Sequence, residues 1–171
     1  MGTEKYTAIG ENFQPYDLFV HSYLLKKELN YDITQKISFG KFELSKNFKL
    51  GFDPIFTYPW GEERISDCLL SIGEENNKFK MSENHKGIII LPYNICFITG
   101  GNHSILTGIF KKDGDIEVDN YCDYSKVLDD IDFDGEYYYL INNSKKRVKT
   151  SSVLLGLIFS MGKYIKKLDF A

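Results

Sequence analysis

The chain is poor in the residues that build disulfide frameworks and metal sites. Its 171 residues include 3 cysteines, 3 histidines and 1 tryptophan. Cys68, Cys96 and Cys122 are widely spaced, form no Cys-X-X-Cys pair and are odd in number. Each lies among apolar neighbours, so we expect buried free thiols in a reducing, cytoplasmic compartment. This spacing argues against a disulfide scaffold and against a cysteine-based metal site.

Long apolar runs and a strong excess of one charge are also missing. No run approaches the ~20 residues that span a membrane, and the first ten residues lack the basic-then-apolar pattern of a signal peptide. The formal net charge is −3, whereas binding to duplex DNA requires clustered lysines and arginines. We therefore expect a cytoplasmic protein without membrane association and without affinity for duplex DNA.

The length and the apolar periodicities predict one α+β domain over residues 1–171 with a real core, in which helices flank a small mixed sheet. Apolar faces at helical spacing and β-rich runs mark the elements. Predicted helices cover about residues 15–30, 61–73 and 150–168, and residues 105–110 are predicted as the body of a further short helix. Predicted strands cover 55–58, 116–121 and 137–141, and residues 79–98 form either two strands or one broken strand, with a turn at 92–94. Residues 37–50 leave open one short strand or irregular packing.

The last predicted helix has a well-defined apolar face and lysines at its C-terminal end. Thr150 or Ser151 is expected to cap it, and the lysines suit the negative end of the helix dipole. The residues of the apolar face are Leu154, Leu157, Ile158, Met161, Ile165 and Leu168.

Polar chemistry is concentrated in one turn between a strand and a helix. Gly100 and Gly101 free backbone N–H groups at a helix N-terminus, which is an arrangement that holds phosphate. His103, inside the first helical turn, should stay neutral and donate a ring hydrogen, while Asn102 and Ser104 complete the polar shell. The alternative is a tight turn followed by a helix that Asn102 caps. The turn carries neither a P-loop nor a dinucleotide fingerprint.

Four residues before and at the start of the second predicted helix are further candidates. Glu62 and Glu63 form an acidic first turn that suits the positive end of the helix dipole, and Arg64 would supply a positive charge to a phosphate. Trp60 would stack on a base. Each has a plainer alternative: solvated first-turn glutamates, a surface arginine and a core tryptophan.

These features together resemble the ParB/sulfiredoxin-like superfamily over about residues 51–121. The shared pattern is a helix with an acidic start, then strands, then a Gly-Gly-Asn-His-Ser turn and a short helix with Gly108. The resemblance implies that Gly100, Gly101, Asn102 and His103 bind nucleotide phosphates. It also implies that Glu62 or Glu63, at the start of the acidic helix, faces the nucleotide as a base or a metal ligand, as in the kinase-like members.

At two positions the chain has a different residue from this superfamily, and both differences restrict the activities that the resemblance implies. Asn102 stands where sulfiredoxin has its catalytic cysteine, so sulfinic-acid reduction is not expected. Ser104 stands where ParB and sulfiredoxin have an arginine, which removes a bidentate phosphate clamp. The whole chain also resembles an uncharacterised bacterial domain family with a Pro-Trp and Gly-Asn-His-Ser pattern, which brings no assigned activity.

The sequence thus predicts a binder of a nucleotide or other phosphate-bearing small molecule. Its layout would be a helical arm (about 1–50), a ParB/sulfiredoxin-like core (about 51–121) and a C-terminal strand and helix (about 122–171). Whether it is an enzyme stays open; hydrolysis or phosphoryl transfer would use Glu62, Glu63 and His103, with magnesium arriving on the nucleotide. The alternative function is a protein-interaction factor in bacterial or phage defence, antidefence or toxin regulation, with a purely structural turn.

Overall fold

A computed structural model describes residues 14–59, 62–72 and 78–168, with the side chains of residues 62 and 64 excepted. The strands in these ranges are β1 (Ser38–Lys49), β2 (Ile55–Phe56), β3 (Lys86–Leu91), β4 (Ile95–Gly100), β5 (Asp115–Asp123), β6 (Ile131–Phe133), β7 (Tyr137–Leu140) and β8 (Asn143–Lys149). The α-helices are α1 (Ser22–Leu24), α2 (Glu62–Ser71), α3 (Asn102–Lys111), α4 (Ser125–Asp130) and α5 (Val153–Leu168). The predicted α+β class is confirmed.

The chain divides into two compact units. Of the described residues, unit 1 contains 42–59, 62–72, 78–89 and 95–120, and unit 2 contains 14–41, 90–94 and 121–168. Among the described residues, no helix has the length and apolar composition needed to cross a membrane. The predicted layout of arm, core and C-terminal part stays a prediction.

A five-stranded sheet in the order β1-β5-β3-β4-β2 places the glycine turn at the end of an interior strand. β2 runs parallel to β4, with Ile55 opposite Cys96, and the rings of Phe56 and Phe97 stack at 5.6 Å. The predicted turn at residues 92–94 joins β3 to β4, so these strands form a hairpin. β4 leads directly through Gly101 into α3, as predicted.

Unit 1 buries one side of α3 within its core. Ile105, Thr107 and Gly108 are buried on this helix. A Cβ on Gly108 would collide with Leu50 and would lie 2.9 Å from Asp113 O, so the absence of a side chain there permits the close packing. By contrast, Ile65 on α2 is only half-buried. α3 is therefore held in unit 1 by buried contacts along one side.

Unit 2 is built around buried tyrosines whose hydroxyl groups satisfy backbone carbonyls. Tyr93 donates to Phe159 O at 2.9 Å, Tyr124 to Pro15 O at 2.9 Å, and Tyr138 to Phe19 O at 3.0 Å. Burial raises the pKa of all three phenols, that of Tyr138 to about 12. The hydroxyls therefore stay protonated and remain donors at neutral pH.

The first predicted helix, over residues 15–30, is broken. The structure has a 3₁₀ turn at Pro15–Asp17, the short α1, and a π-helical turn at Leu25–Leu29. Leu18, Phe19 and Val20 are all buried. Three consecutive residues cannot share one face of an α-helix, so burying all of them requires a non-helical segment. Asp17 fixes the break by accepting a hydrogen bond from Ser22 N at 2.6 Å.

The last helix is confirmed, but it buries a different face from the apolar one seen in the sequence. Its buried residues are Gly156, Phe159 and Gly162, and Ser152 caps its start by accepting from Leu155 N at 3.3 Å. The two glycines are required because a Cβ on either would enter the ring of Phe133 or of Tyr93. Four residues of the apolar face in the sequence are exposed: Leu154, Leu157, Met161 and Leu168.

The β8 strand was not predicted, and β1 is longer than expected. β8 is mostly polar and exposed, with Val148 as its buried residue, and it pairs antiparallel with β7. β1 extends over 12 residues where the sequence left a short strand or irregular packing open. Hydrogen bonds to neighbouring strands hold both segments in the strand conformation. Such bonds leave no apolar periodicity in the sequence, so the pattern does not reveal these strands.

Removal of the Tyr124 hydroxyl should destabilise the protein. Tyr124 is fully buried, so Tyr124→Phe removes the hydroxyl that donates to Pro15 O, and only the weaker donor Leu18 N at 3.4 Å remains there. The loss should cost about 1 kcal/mol in the free energy of unfolding. Urea denaturation measures the change. Tyr23→Phe is the matched control because Tyr23 is 68% exposed, and it should change stability by less than about 0.5 kcal/mol. Equal stabilities of the two variants would contradict the assignment.

Candidate functional site

The N-terminus of α3 begins at Gly101, which adopts a left-handed conformation (φ 74°, ψ 24°). The first intrahelical hydrogen bond runs from Ile105 N to Gly101 O at 3.0 Å. The N–H groups of residues 102–104 precede that bond and lie at the positive end of the helix dipole. The backbone thus has the arrangement from which the sequence predicts anion binding.

The two glycines also have a packing role, because the segment before β3 lies directly against them. A Cβ on Gly101 would overlap the ring of His85, and a Cβ on Gly100 would lie 2.6 Å from Asn84 O. The space opened by the missing side chains is therefore filled on this side by residues 84–85. The glycine pair positions this segment beside the helix N-terminus.

Asn102 is the first residue of α3 rather than its cap. Its side chain is buried, and its Oδ1 accepts hydrogen bonds from Thr57 Oγ1 and Tyr58 N, both at 2.8 Å. The amide thereby ties the start of α3 to the segment that follows β2. The predicted cap position belongs to Gly101, and the oxygen predicted for a ligand is already engaged within unit 1.

His85 is held between two serines in one tautomer. Ser82 N donates to Nδ1 at 2.9 Å, so Nδ1 is the acceptor and Nε2 carries the hydrogen in the neutral ring. Nε2 then donates to Ser104 Oγ at 2.7 Å. Burial lowers the pKa of His85 below its ordinary value, which favours this neutral form.

The His85–Ser104 pair is therefore not arranged for nucleophilic catalysis. A serine nucleophile donates its proton to an unprotonated ring nitrogen, whereas here Nε2 donates and the Ser104 hydroxyl is directed to Gly101 O at 3.0 Å. The chain of hydrogen bonds instead positions polar groups around the helix N-terminus.

A pocket of about 350 Å³ opens at this point of unit 1. Residues from α2, from the segment before β3 and from the start of α3 line it: Asp67, Cys68, Ser82, Asn84, His85, Gly101, His103 and Ser104. His103 is 8% exposed, and its backbone carbonyl accepts from Thr107 Oγ1 at 3.0 Å. Three residues predicted for the site, Gly101, His103 and Ser104, therefore share one pocket.

The other predicted residues are placed differently. Glu63 is exposed and does not line the pocket, and neither do Gly100 and Asn102. Trp60 and the side chains of Glu62 and Arg64 lie outside the described residues. Asp67, one helical turn after Glu63, is an acid of α2 that does line the pocket.

The sequence analysis did not assign residues 82–85 to the site, although their distance from the predicted turn would have placed them there. A hairpin whose turn is centred on Tyr93 places residues at equal distances from that centre opposite each other. His85 precedes Tyr93 by eight positions and Gly101 follows it by eight, so two strands that fold back at the predicted turn would bring them together.

The described part of the chain contains no group of three or more His, Cys, Asp or Glu residues that could hold a metal ion. Cys96 and Cys122 are buried free thiols, as expected, and burial raises the pKa of each to about 12. Cys68 differs from the expectation because it is half-buried and lines the pocket.

Residues 6–171 match DUF6710, which is described as a family of unknown function. The chain belongs to DUF6710. This agrees with the expected membership of an uncharacterised domain family, but the match does not support the resemblance to the ParB/sulfiredoxin-like superfamily. No curated protein and no solved structure matches the chain.

Loss of the Asn102 amide should destabilise unit 1 of this DUF6710 protein. Asn102→Ala removes the acceptor of Thr57 and Tyr58 and should cost about 1–3 kcal/mol in the free energy of unfolding. Thr57→Val removes one of the two donors while keeping its shape. Because both changes break the same hydrogen bond, the double variant should lose less than the sum of the single losses. Strict additivity in urea denaturation would contradict the contact.

The His85 tautomer gives a second prediction, on pH dependence. Nitrogen-detected NMR should show the hydrogen on Nε2 and a titration below the ordinary pKa of 6.5. As the pH falls, the unfolded chain takes up the proton before the folded one, so stability is lost downward from pH 6.5. His85→Gln should flatten the stability profile between about pH 7 and 5. A hydrogen on Nδ1, or an unchanged profile in the variant, would refute this assignment.

Proposed function

We propose that the pocket at the N-terminus of α3 binds a phosphate-bearing small molecule, with a nucleotide as the first candidate. The observation that carries the proposal is the pocket itself: it joins the first turn of a ten-residue helix to imidazole and hydroxyl groups. Its volume of about 350 Å³ lies at the small end of the range of about 300–1,000 Å³ for ligand pockets. This size suits a single phosphate-bearing group better than a dinucleotide.

The donors in the pocket match the chemistry of a phosphate. The N–H groups of residues 102–104 and the helix dipole favour an anion. Asn84 and Ser82 bring polar side chains to the same space, and the neutral His85 keeps Ser104 in place. The strand–turn–helix setting that resembles ParB and sulfiredoxin supports the same type of ligand.

One charge in the pocket opposes an anion. Among the described residues that line it, Asp67 alone carries a formal charge at neutral pH. A carboxylate is a ligand that Mg²⁺ prefers, and a magnesium ion on the nucleotide would neutralise the repulsion. We therefore expect binding to depend on Mg²⁺, with Asp67 in the role first given to Glu62 and Glu63. Hydrolysis or phosphoryl transfer would need this acid as well.

A second candidate function is a non-enzymatic protein-interaction factor, as in defence, antidefence or toxin regulation. The specific observation in its favour is the exposed apolar face of α5, with exposures of 51–74% at Leu154, Leu157, Met161, Tyr164 and Leu168. This face belongs to unit 2, and in this second function the glycine turn of unit 1 is purely structural.

Thermal shift against ATP, ADP, CTP, GTP and cyclic nucleotides, with and without Mg²⁺, tests the phosphate site. A ligand at about 100 times its Kd should raise the melting temperature by about 5–10 °C, because it binds the native state only. His103→Ala and Asn84→Ala should lose most of the shift, and His21→Ala, outside the pocket, should keep it. Asp67→Asn should bind the same ligand without Mg²⁺.

Two results would overturn the phosphate site. The first is the absence of a shift with every member of the panel, with and without Mg²⁺. The second is a shift that survives unchanged in both His103→Ala and Asn84→Ala. A protein partner captured equally well by these two variants would favour the second candidate function.

A further inference from the structure

The face of α5 that unit 2 leaves uncovered is continuous and apolar. Its five residues (Leu154, Leu157, Met161, Tyr164 and Leu168) are each more than half exposed and are here named the exposed α5 face. Val153, 52% exposed, extends it at the start of the helix. Scattered exposed apolar residues are ordinary, whereas a contiguous face of this length marks an interaction surface.

α5 cannot turn this face inward, because its opposite side is already fixed. Gly156 and Gly162 pack directly against aromatic rings, and Phe159, which lies between them in the sequence, is buried. Lys163 pairs with Asp132 at 2.9 Å and Lys166 with Asp129 at 2.7 Å. A rotation that buried the exposed face would break all of these contacts at once.

The spacing of the exposed face specifies an α-helix as its partner. Leu154, Met161 and Leu168 are seven residues apart, and Leu157 and Tyr164 follow the first two by three residues. These are the a and d positions of two heptads, the pattern by which one helix packs its side chains into another. A flat sheet or an extended peptide has no matching three-four spacing.

We propose that the exposed α5 face is the interface with a second copy of this chain, packed as an antiparallel helix pair. From the exposed fractions, the face offers on the order of 700 Å² per copy, close to the ~800 Å² per partner of a standard stable interface. A face of a and d residues is self-complementary, as a two-fold dimer requires. The area and the pattern therefore suit the same helix as its own partner.

The charges select the antiparallel direction. Lys167 flanks the exposed face at its C-terminal end, so a parallel pair would place the two Lys167 side chains at the same end. In an antiparallel pair with Leu157 of each copy opposite Met161 of the other, the two Lys167 lie about 24 Å apart along the axis. That distance exceeds the Debye length of ~8 Å at physiological salt. The same register places Leu154 opposite Tyr164 and forms four apolar layers.

Sedimentation equilibrium of the full chain tests the dimer. Wild type should have the mass of two chains at micromolar concentration, and Leu157→Glu/Met161→Glu should have the mass of one. Both positions are exposed, so the variant keeps its fold, which circular dichroism checks. Leu44→Glu is the matched control: Leu44 is 82% exposed in unit 1, and this variant should stay dimeric. A monomeric wild type, or a dimeric double variant, would overturn the proposal.

Cysteine cross-linking tests the direction in a Cys68→Ser background. An equal mixture of Leu157→Cys and Met161→Cys chains should form a disulfide between copies, and Leu157→Cys alone should form little. Efficient cross-linking of Leu157→Cys alone would contradict the antiparallel pair.

Co-sedimentation with anionic phosphatidylserine vesicles tests a membrane surface as the other occupant of this face. A monomeric wild type that binds vesicles through the exposed α5 face would overturn the dimer.

Discussion

The contact between His85 and the Gly100–Gly101 turn is the constraint on which the candidate site depends. It requires a hairpin that returns the chain to the same point, two residues without side chains and a left-handed backbone at Gly101. In return it places an imidazole, held by Ser82 and Ser104, beside the first turn of α3. The glycine pair at the start of this helix therefore has two physical explanations, close packing and anion binding. The contacts with His85 and Asn84 account for the packing explanation. The anion-binding one rests on the pocket that this packing leaves open.

A comparable constraint operates in unit 2, where aromatic rings fill the space that glycines leave free. Phe19 packs its ring against Tyr93 at 4.8 Å, Tyr124 at 5.2 Å and Phe159 at 5.6 Å. Hydrophobic burial of these rings is non-directional, but each tyrosine hydroxyl reaches a specific backbone carbonyl and so fixes one arrangement. The high aromatic content, 15% of the chain, thus contributes a packed and hydrogen-bonded core. The orientation of α5 follows from that core.

The sequence pattern predicted those helices and strands in which buried apolar residues recur at a regular spacing. The β3–β4 hairpin, β5, β7, α2, α3 and α5 fall close to their expected positions. It failed for residues 15–30, because tertiary packing buries Leu18, Phe19 and Val20 together, and for β8, because polar strands carry no apolar period. For α5 it found the apolar face with the regular three-four spacing. The face that unit 2 buries contains two glycines, which hydropathy does not mark as core positions.

Some residues of the candidate site could be predicted from the sequence, and others could not. Gly101, His103 and Ser104 are adjacent in the chain, so local spacing was enough to group them. Asp67 and Cys68 come from another helix, and their position depends on how α2 packs against α3, which no local pattern specifies. That packing matters for the chemistry, because it places a carboxylate in a pocket otherwise built from neutral donors and a helix dipole. A helix N-terminus has about half a unit of positive charge, so Asp67 outweighs it. The anion that we propose for this pocket is therefore expected to bring a cation or a proton of its own.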